Sequence, residues 1–188
     1  MAVLTTELLA EAEAIKARYP DPRSAMMPLL YLVQSVEGHV SREGMREVGE
    51  VLGVTTAEVE AVASFYTMIR RRPTGRYVIS VCTNLSCALL GAKRVFTRAE
   101  ELLGPGAETV TQDGTFTLHE EECLGACDAA PVVQVNWTNY DRVDEAGVER
   151  IVEGIRSGSV PPPSRGEPPA DLKATSRRLA GLNGGRDG

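Results

Sequence analysis

The sequence contains no long apolar run. Its longest, Ala25–Val33, is far short of the roughly 18 residues a membrane-spanning helix needs, and Pro28 interrupts it, so no transmembrane helix is expected. The opening stretch MAVLTTELLAEAEAIKARYP carries acids and lacks a basic n-region, which argues against a secretory signal and for a cytosolic protein. An excess of positive charge is also missing. Twenty Lys and Arg against 26 Asp and Glu leave a formal charge of −6, which excludes a general nucleic-acid binder. The local exception, Arg70–Arg72, reads as a solvated connector or as a docking patch for an acidic partner. Three motifs are absent as well. There is no C-x-x-C, so thioredoxin-type dithiol chemistry is excluded. There is no dinucleotide fingerprint or P-loop, because the glycine cluster LLGPGAE follows a helix rather than a strand and reads as a turn. Only two histidines occur, His39 and His119, and neither is spaced with the cysteines as a Rieske centre requires.

What remains is ordinary globular composition, 43% hydrophobic and 24% charged over 188 residues, enough for one medium or two small domains. Residues 1–72 read as a small helical bundle. Leu4, Leu8, Ala12 and Ile15 recur at helical spacing until Pro20 and Pro22. Ser24 is expected to cap a second helix that Gly38 ends, and Ser41 a third that ends at Gly53. Thr55 and Glu58 form a capping box for a fourth.

Residues 73–156 change character. Arg76–Val81 reads as a strand, and Ser86 is expected to cap a helix to Leu103, broken by Gly104, Pro105 and Gly106. Thr115–Leu118, Pro131–Val135 and Asn139–Val143 read as further strands, with Trp137 in a hairpin turn and Asp144 capping a last helix to Arg156. That order predicts a small α/β sandwich, and with the bundle an α+β chain. Residues 157–188 are Pro- and Gly-rich and read as a flexible tail, in which SRRLAGL could dock on a partner.

All four cysteines fall in two pairs, Cys82 and Cys87 in CTNLSC and Cys123 and Cys127 in CLGAC, each following an expected strand. Disulfides are rare in the cytosol. Both pairs are wider than a zinc knuckle, although zinc sites with such spacing occur. A [2Fe–2S] cluster needs two thiolates on each of two irons, which suits two separated pairs. The spacing favours the cluster and leaves zinc, disulfides and free thiols open. Small residues between the ligands, Thr83, Ser86, Gly91 and Gly125, would let backbone N–H groups approach bridging sulfides, and a helix after Cys87 would point its positive end there. Glu120, Glu121, Glu122 and Asp128 would oppose reduction.

MMPLLYLVQ, EGHVS, VASFYTM, PTGRY, VCTNLSC, LLGA and EECLGACDAAPVVQVN together resemble the thioredoxin-like [2Fe–2S] subunits of respiratory complex I, the NADH-quinone oxidoreductase, over roughly residues 15–156. The resemblance implies an N-terminal helical bundle and a thioredoxin-like domain, with one [2Fe–2S] cluster on Cys82, Cys87, Cys123 and Cys127. It implies tight pairing with a flavin subunit that carries FMN and oxidises NADH, so this chain alone would hold no complete active site. It places the protein in the cytoplasm, peripheral to the inner face of the cell membrane through the complex. The homologous small subunit of an NAD-linked formate dehydrogenase or NAD-reducing hydrogenase is the alternative within the same chemistry, and a zinc-stapled interaction module the alternative outside it. Phe65 and Tyr66, with Ile69 at helical spacing, read as packing residues or as a surface for the flavin subunit.

Overall fold

A computed structural model describes residues 2–104 and 108–182; Pro105 and Gly106 of the expected break lie outside them. The chain divides into two compact units, Met1–Pro73 with Leu172–Gly188, and Thr74–Asp171.

The first unit is a helical bundle of α1 (Thr6–Lys16), α2 (Met26–Glu37), α3 (Arg42–Leu52), α4 (Thr56–Phe65) and α8 (Leu172–Leu179). Its helices start where short polar side chains satisfy free N–H groups. Thr5 accepts from Leu8, Ser41 from Gly44, and Thr55 with Glu58 forms the expected capping box. Ser24 does not cap α2. Asp21 instead accepts from the Arg23 N–H and opens a 3-10 turn, Pro22–Ala25, that runs into α2 without a side-chain cap. Pro22 has its φ preset for that first turn, which moves the start ahead of Ser24.

The central helix is α2, with Leu29 through Gln34 consecutively buried. Its polar residue is fully satisfied. The Gln34 amide donates to Ser176 Oγ (3.1 Å) and to the Met68 carbonyl (3.3 Å), and its oxygen accepts from the Arg70 N–H (2.7 Å). The Glu47 carboxylate, also buried, accepts from the backbone of Val3 (3.0 Å) and Leu4 (2.7 Å), pinning the N-terminal segment. Phe65 and Tyr66 are not core residues. Phe65 is 77% exposed and Tyr66 44% exposed, and their rings meet edge to face at 5.1 Å, while Ile69 is buried. The cause is local: α4 ends at Phe65 and Tyr66 turns to extended backbone, so the helical spacing that would have grouped them with Ile69 stops there.

The second unit holds β1 (Tyr77–Cys82), α5 (Leu85–Leu89), α6 (Ala92–Leu103), β2 (Phe116–Glu121), β3 (Val133–Val135), β4 (Thr138–Tyr140) and α7 (Glu145–Arg156). The sheet order is β2-β1-β3-β4. β1 pairs parallel with β2 from Tyr77–Phe116 to Cys82–Glu121, and the other pairs are antiparallel. Asn136 and Trp137, both at positive φ (43° and 67°), make the two-residue turn between β3 and β4. One sheet face buries Ile79, Val81, Phe116, Leu118, Val133 and Val135 against Val95 and Ala99 of α6 and Val148, Ile151, Val152 and Ile155 of α7. The single helix expected from Ser86 to Leu103 is two helices. It breaks at Leu90 and Gly91, where Gly91 takes φ 99°, and Asn84 rather than Ser86 is the cap. Strand β2 also runs three residues beyond its expected end, to Glu121.

Of the expected flexible tail, 157–188, residues 183–188 lie outside the described ones, and residues 157–182 differ from that expectation on both sides of Asp171. Residues up to Ala170 are held by hydrogen bonds to the second unit: Tyr140 OH donates to the Pro161 carbonyl (2.8 Å), the Asp141 N–H to Ser164 Oγ (2.9 Å), and the Asn136 amide to the Ala170 carbonyl (2.9 Å). Leu172–Leu179 then form α8 on α2, burying Leu172, Thr175 and Ser176, with Lys173 Nζ on the Val36 carbonyl (2.6 Å). Segments rich in proline can be fixed by polar contacts to a partner surface without an apolar stripe of their own, and that signal is invisible in composition. SRRLAGL therefore docks within its own chain.

Two substitutions probe these contacts. Gln34→Leu removes three hydrogen bonds, one of them buried, and is expected to cost about 2 kcal/mol in urea unfolding of the chain. Gly75 has no room for a side chain: a Cβ there would lie 2.5 Å from the Phe116 carbonyl carbon. Gly75→Ala is expected to separate the start of β1 from β2 and cost about 1–3 kcal/mol, read as a lower urea midpoint at unchanged slope.

Candidate metal centre

The parallel pairing of β1 and β2 brings their carboxyl ends together, the edge where open α/β sheets commonly hold ligands. Cys82 is the last residue of β1, and Cys123 follows two residues after β2. Asn84 accepts from the Leu85 N–H (2.6 Å) and turns the chain straight into α5, whose middle residue is Cys87. Gly125, at φ 71°, turns the other loop, and Cys127 opens a 3-10 turn, Cys127–Ala129, ahead of the cis Ala130–Pro131 peptide.

The four thiols are free and form one buried and one exposed pair. Cys82 and Cys87 are 3% and 2% exposed, in a small apolar pocket with Ala92, Ala126, Ala130 and Val132, while Cys123 and Cys127 face solvent. The Cys82 N–H donates to the carbonyl of Val132 (3.1 Å), the residue just before β3. The Gly125 N–H donates to Cys123 Sγ at 3.4 Å, and the Cys82 thiol donates to the Glu122 carbonyl at 3.7 Å. Burial pushes the Cys87 thiol up to about 11. The Val132 backbone opposes this with a hydrogen bond, and the nearby Cys82 thiol and the charges of Cys82 and Cys127 add to it. Cys82 and Cys127 are therefore near enough to Cys87 to bear on its ionisation. Such a thiol stays protonated at neutral pH until a metal's own charge displaces the proton.

Among the described residues, no three His, Cys, Asp or Glu side chains converge on one ion position. A binuclear cluster asks instead for two thiol pairs, and the donor set supplies one pair at the end of β1 and in α5 and one pair after β2. The side chains packed around the inner pair, Ala92, Ala126 and Ala130, are small. Two expectations about the backbone change. The Thr83 N–H is already committed to the Glu121 carbonyl (2.9 Å), whereas that of Gly125 faces sulfur. No helix N-terminus follows Cys87 directly, because Cys87 is inside α5 and α6 starts at Ala92. Glu120, Glu122 and Asp128 are exposed beside the thiols and Glu121 is partly covered. His39 lies in the other unit, next to the Glu37 carbonyl, and His119 lies within β2 opposite Ser80. The role of Asn84 was missed from the sequence, though an Asn immediately before LSC is an N-cap signal as strong as Ser86.

The family model for the thioredoxin-like [2Fe–2S] ferredoxin matches residues 12–156. The E-type subunit of the NADH-quinone oxidoreductase of Mycobacterium tuberculosis is 48% identical over 175 residues, 93% of this chain and 69% of that protein. Subunit 2 of the same enzyme from Thermus thermophilus is 43% identical over 145 residues, 76% of this chain and 80% of that one. The crystal structure of an NAD+-reducing [NiFe]-hydrogenase in the H2-reduced state is similar in fold, with a TM-score of 0.63 at 20% identity, over 72% of this chain and 22% of the hydrogenase chain. With the match spanning both cysteine pairs, the chain belongs to the thioredoxin-like [2Fe–2S] ferredoxin family.

Proposed function

We propose that the chain is an electron-transfer subunit of an NADH-quinone oxidoreductase, with one [2Fe–2S] cluster on Cys82, Cys87, Cys123 and Cys127. The observation that supports this reading is that β1 and β2 end together and a buried and an exposed thiol pair follow from those two ends, in a chain 48% identical to a subunit of that enzyme. The cluster supplies one-electron redox chemistry at that edge. Cys82 and Cys87 would hold one iron inside the pocket, and Cys123 and Cys127 the other at the surface. Pocket residues Ala126, Ala130 and Val132 keep water from the inner pair, and the exposed pair gives a short route for an electron to a partner.

NADH and FMN would bind on a partner subunit, since this chain has no dinucleotide fingerprint. A carrier of single electrons cannot take a hydride, so the two-electron step needs the flavin. No described helix is long and apolar enough to cross a membrane, which accords with a place in a peripheral arm. The two quinone-oxidoreductase relatives favour that complex over a hydrogenase, whose likeness is one of fold.

Cys82→Ser, Cys87→Ser, Cys123→Ser and Cys127→Ser are each expected to lower iron and acid-labile sulfide and to change or abolish the reduced-state EPR signal. Wild-type signals in any two of them would overturn the ligand set. Calorimetry of the isolated chain with NADH is expected to give no binding, and micromolar affinity would overturn the division of labour between subunits.

A further inference from the structure

Asp141, the residue after β4, holds a carboxylate that is buried but only half satisfied. Its side chain is 8% exposed. Oδ2 accepts from the Arg165 guanidinium at 3.3 Å. Oδ1 is buried and has no hydrogen-bond partner among the described residues. A buried carboxylate is ordinarily both paired and fully hydrogen-bonded. Arg165 is itself 68% exposed, so it shares its charge with water.

The sheet places this carboxylate on the thiol side. β1 pairs with β3 up to Val81–Val133, and the Cys82 N–H on the Val132 carbonyl carries that ladder one residue further. β3 pairs with β4 up to Val133–Tyr140, so the next step sets Asp141 beside Val132. Val81, Val133 and Tyr140 lie in the core with α6 and α7, whereas Cys82 and Val132 belong to the thiol pocket. Side chains alternate along a strand, which directs Asp141 away from that core. Two strand spacings, about 10 Å, separate its backbone from that of Cys82.

We infer that Asp141 and Arg165 together set the reduction potential of the cluster, the carboxylate lowering it and the guanidinium raising it. This rests on the cluster proposed above. Reduction adds one negative charge to the centre, and nearby charge is among the factors that fix a cluster's potential. A buried carboxylate opposes that added charge with little screening. Arg165 offsets it while residues 161–165 lie against β4, held by Tyr140 OH on the Pro161 carbonyl (2.8 Å) and the Asp141 N–H on Ser164 Oγ (2.9 Å). Arg165 lies beyond residues 12–156, which the family model matches, so this charge comes from outside the matched domain.

The test is an EPR-monitored redox titration of the full chain carrying its cluster, with dithionite as reductant and ferricyanide as oxidant in mildly alkaline buffer. Wild type is compared with Arg165→Gln, Asp141→Asn and the double variant. Arg150→Gln, the same charge change at an exposed position of α7, is the control. The midpoint is expected to fall in Arg165→Gln and to rise in Asp141→Asn. The double variant is expected to match Asp141→Asn, because the guanidinium loses its anchor with the carboxylate. Iron and labile sulfide are expected to stay at wild-type levels throughout, and the control midpoint to stay in place. A wild-type midpoint in either single variant, or equal shifts in Arg165→Gln and Arg150→Gln, would overturn the inference and leave the cluster standing. Wild-type redox midpoints with a lower urea midpoint in both would reduce the pair to a fastener of the 161–165 segment and overturn it too. A wild-type chain without iron and labile sulfide would overturn both readings.

Discussion

The parallel β1–β2 ladder is the constraint on which the site depends. Six consecutive pairs, from Tyr77–Phe116 to Cys82–Glu121, make the two strands end together. At that edge Cys82 closes β1 and Cys87 follows in α5, while Cys123 and Cys127 follow β2. Because side-chain direction along a strand has period two, a slip of one residue would turn Cys82 from the pocket toward the α6–α7 core. The register is held on one face by Ile79, Val81, Phe116 and Leu118 in that core, and at its start by the close approach of Gly75 to Phe116. The spacing within each cysteine pair matters only after this ladder has brought the pairs together.

The chemistry of the site follows from unequal burial. Burial among alanines and Val132 disfavours the ionised form of Cys87, whose value is raised, while Cys123 and Cys127 are exposed. Metal binding would then be coupled to release of a proton from Cys87. The same asymmetry gives the thiols a covered side and an open side.

Much of this was legible in the sequence, and the exceptions have identifiable causes. Ser41, the Thr55–Glu58 box and Asp144 were readable because N-capping is local chemistry. The two cysteine pairs were readable because nothing else in a chain with four cysteines competes with them. The break at Gly91 was missed because LSCALLGAKRVF keeps apolar residues in helical reach throughout, and only the need to bury Cys87 separates α5 from α6. The exposure of Phe65 was missed because periodicity does not mark the residue at which a helix stops. The 157–171 segment and α8 were misread because their anchors, Asn136, Tyr140 and Gln34, are distant in sequence and act through hydrogen bonds.

The central claim is that these four thiols hold a [2Fe–2S] centre rather than a single ion. The most direct measurement is the metal and sulfide content of the anaerobically purified chain, taken with its visible spectrum. The account predicts a brown protein with about two irons and two acid-labile sulfides per chain, bleached on reduction. A colourless protein holding one zinc per chain, with no labile sulfide, would contradict it.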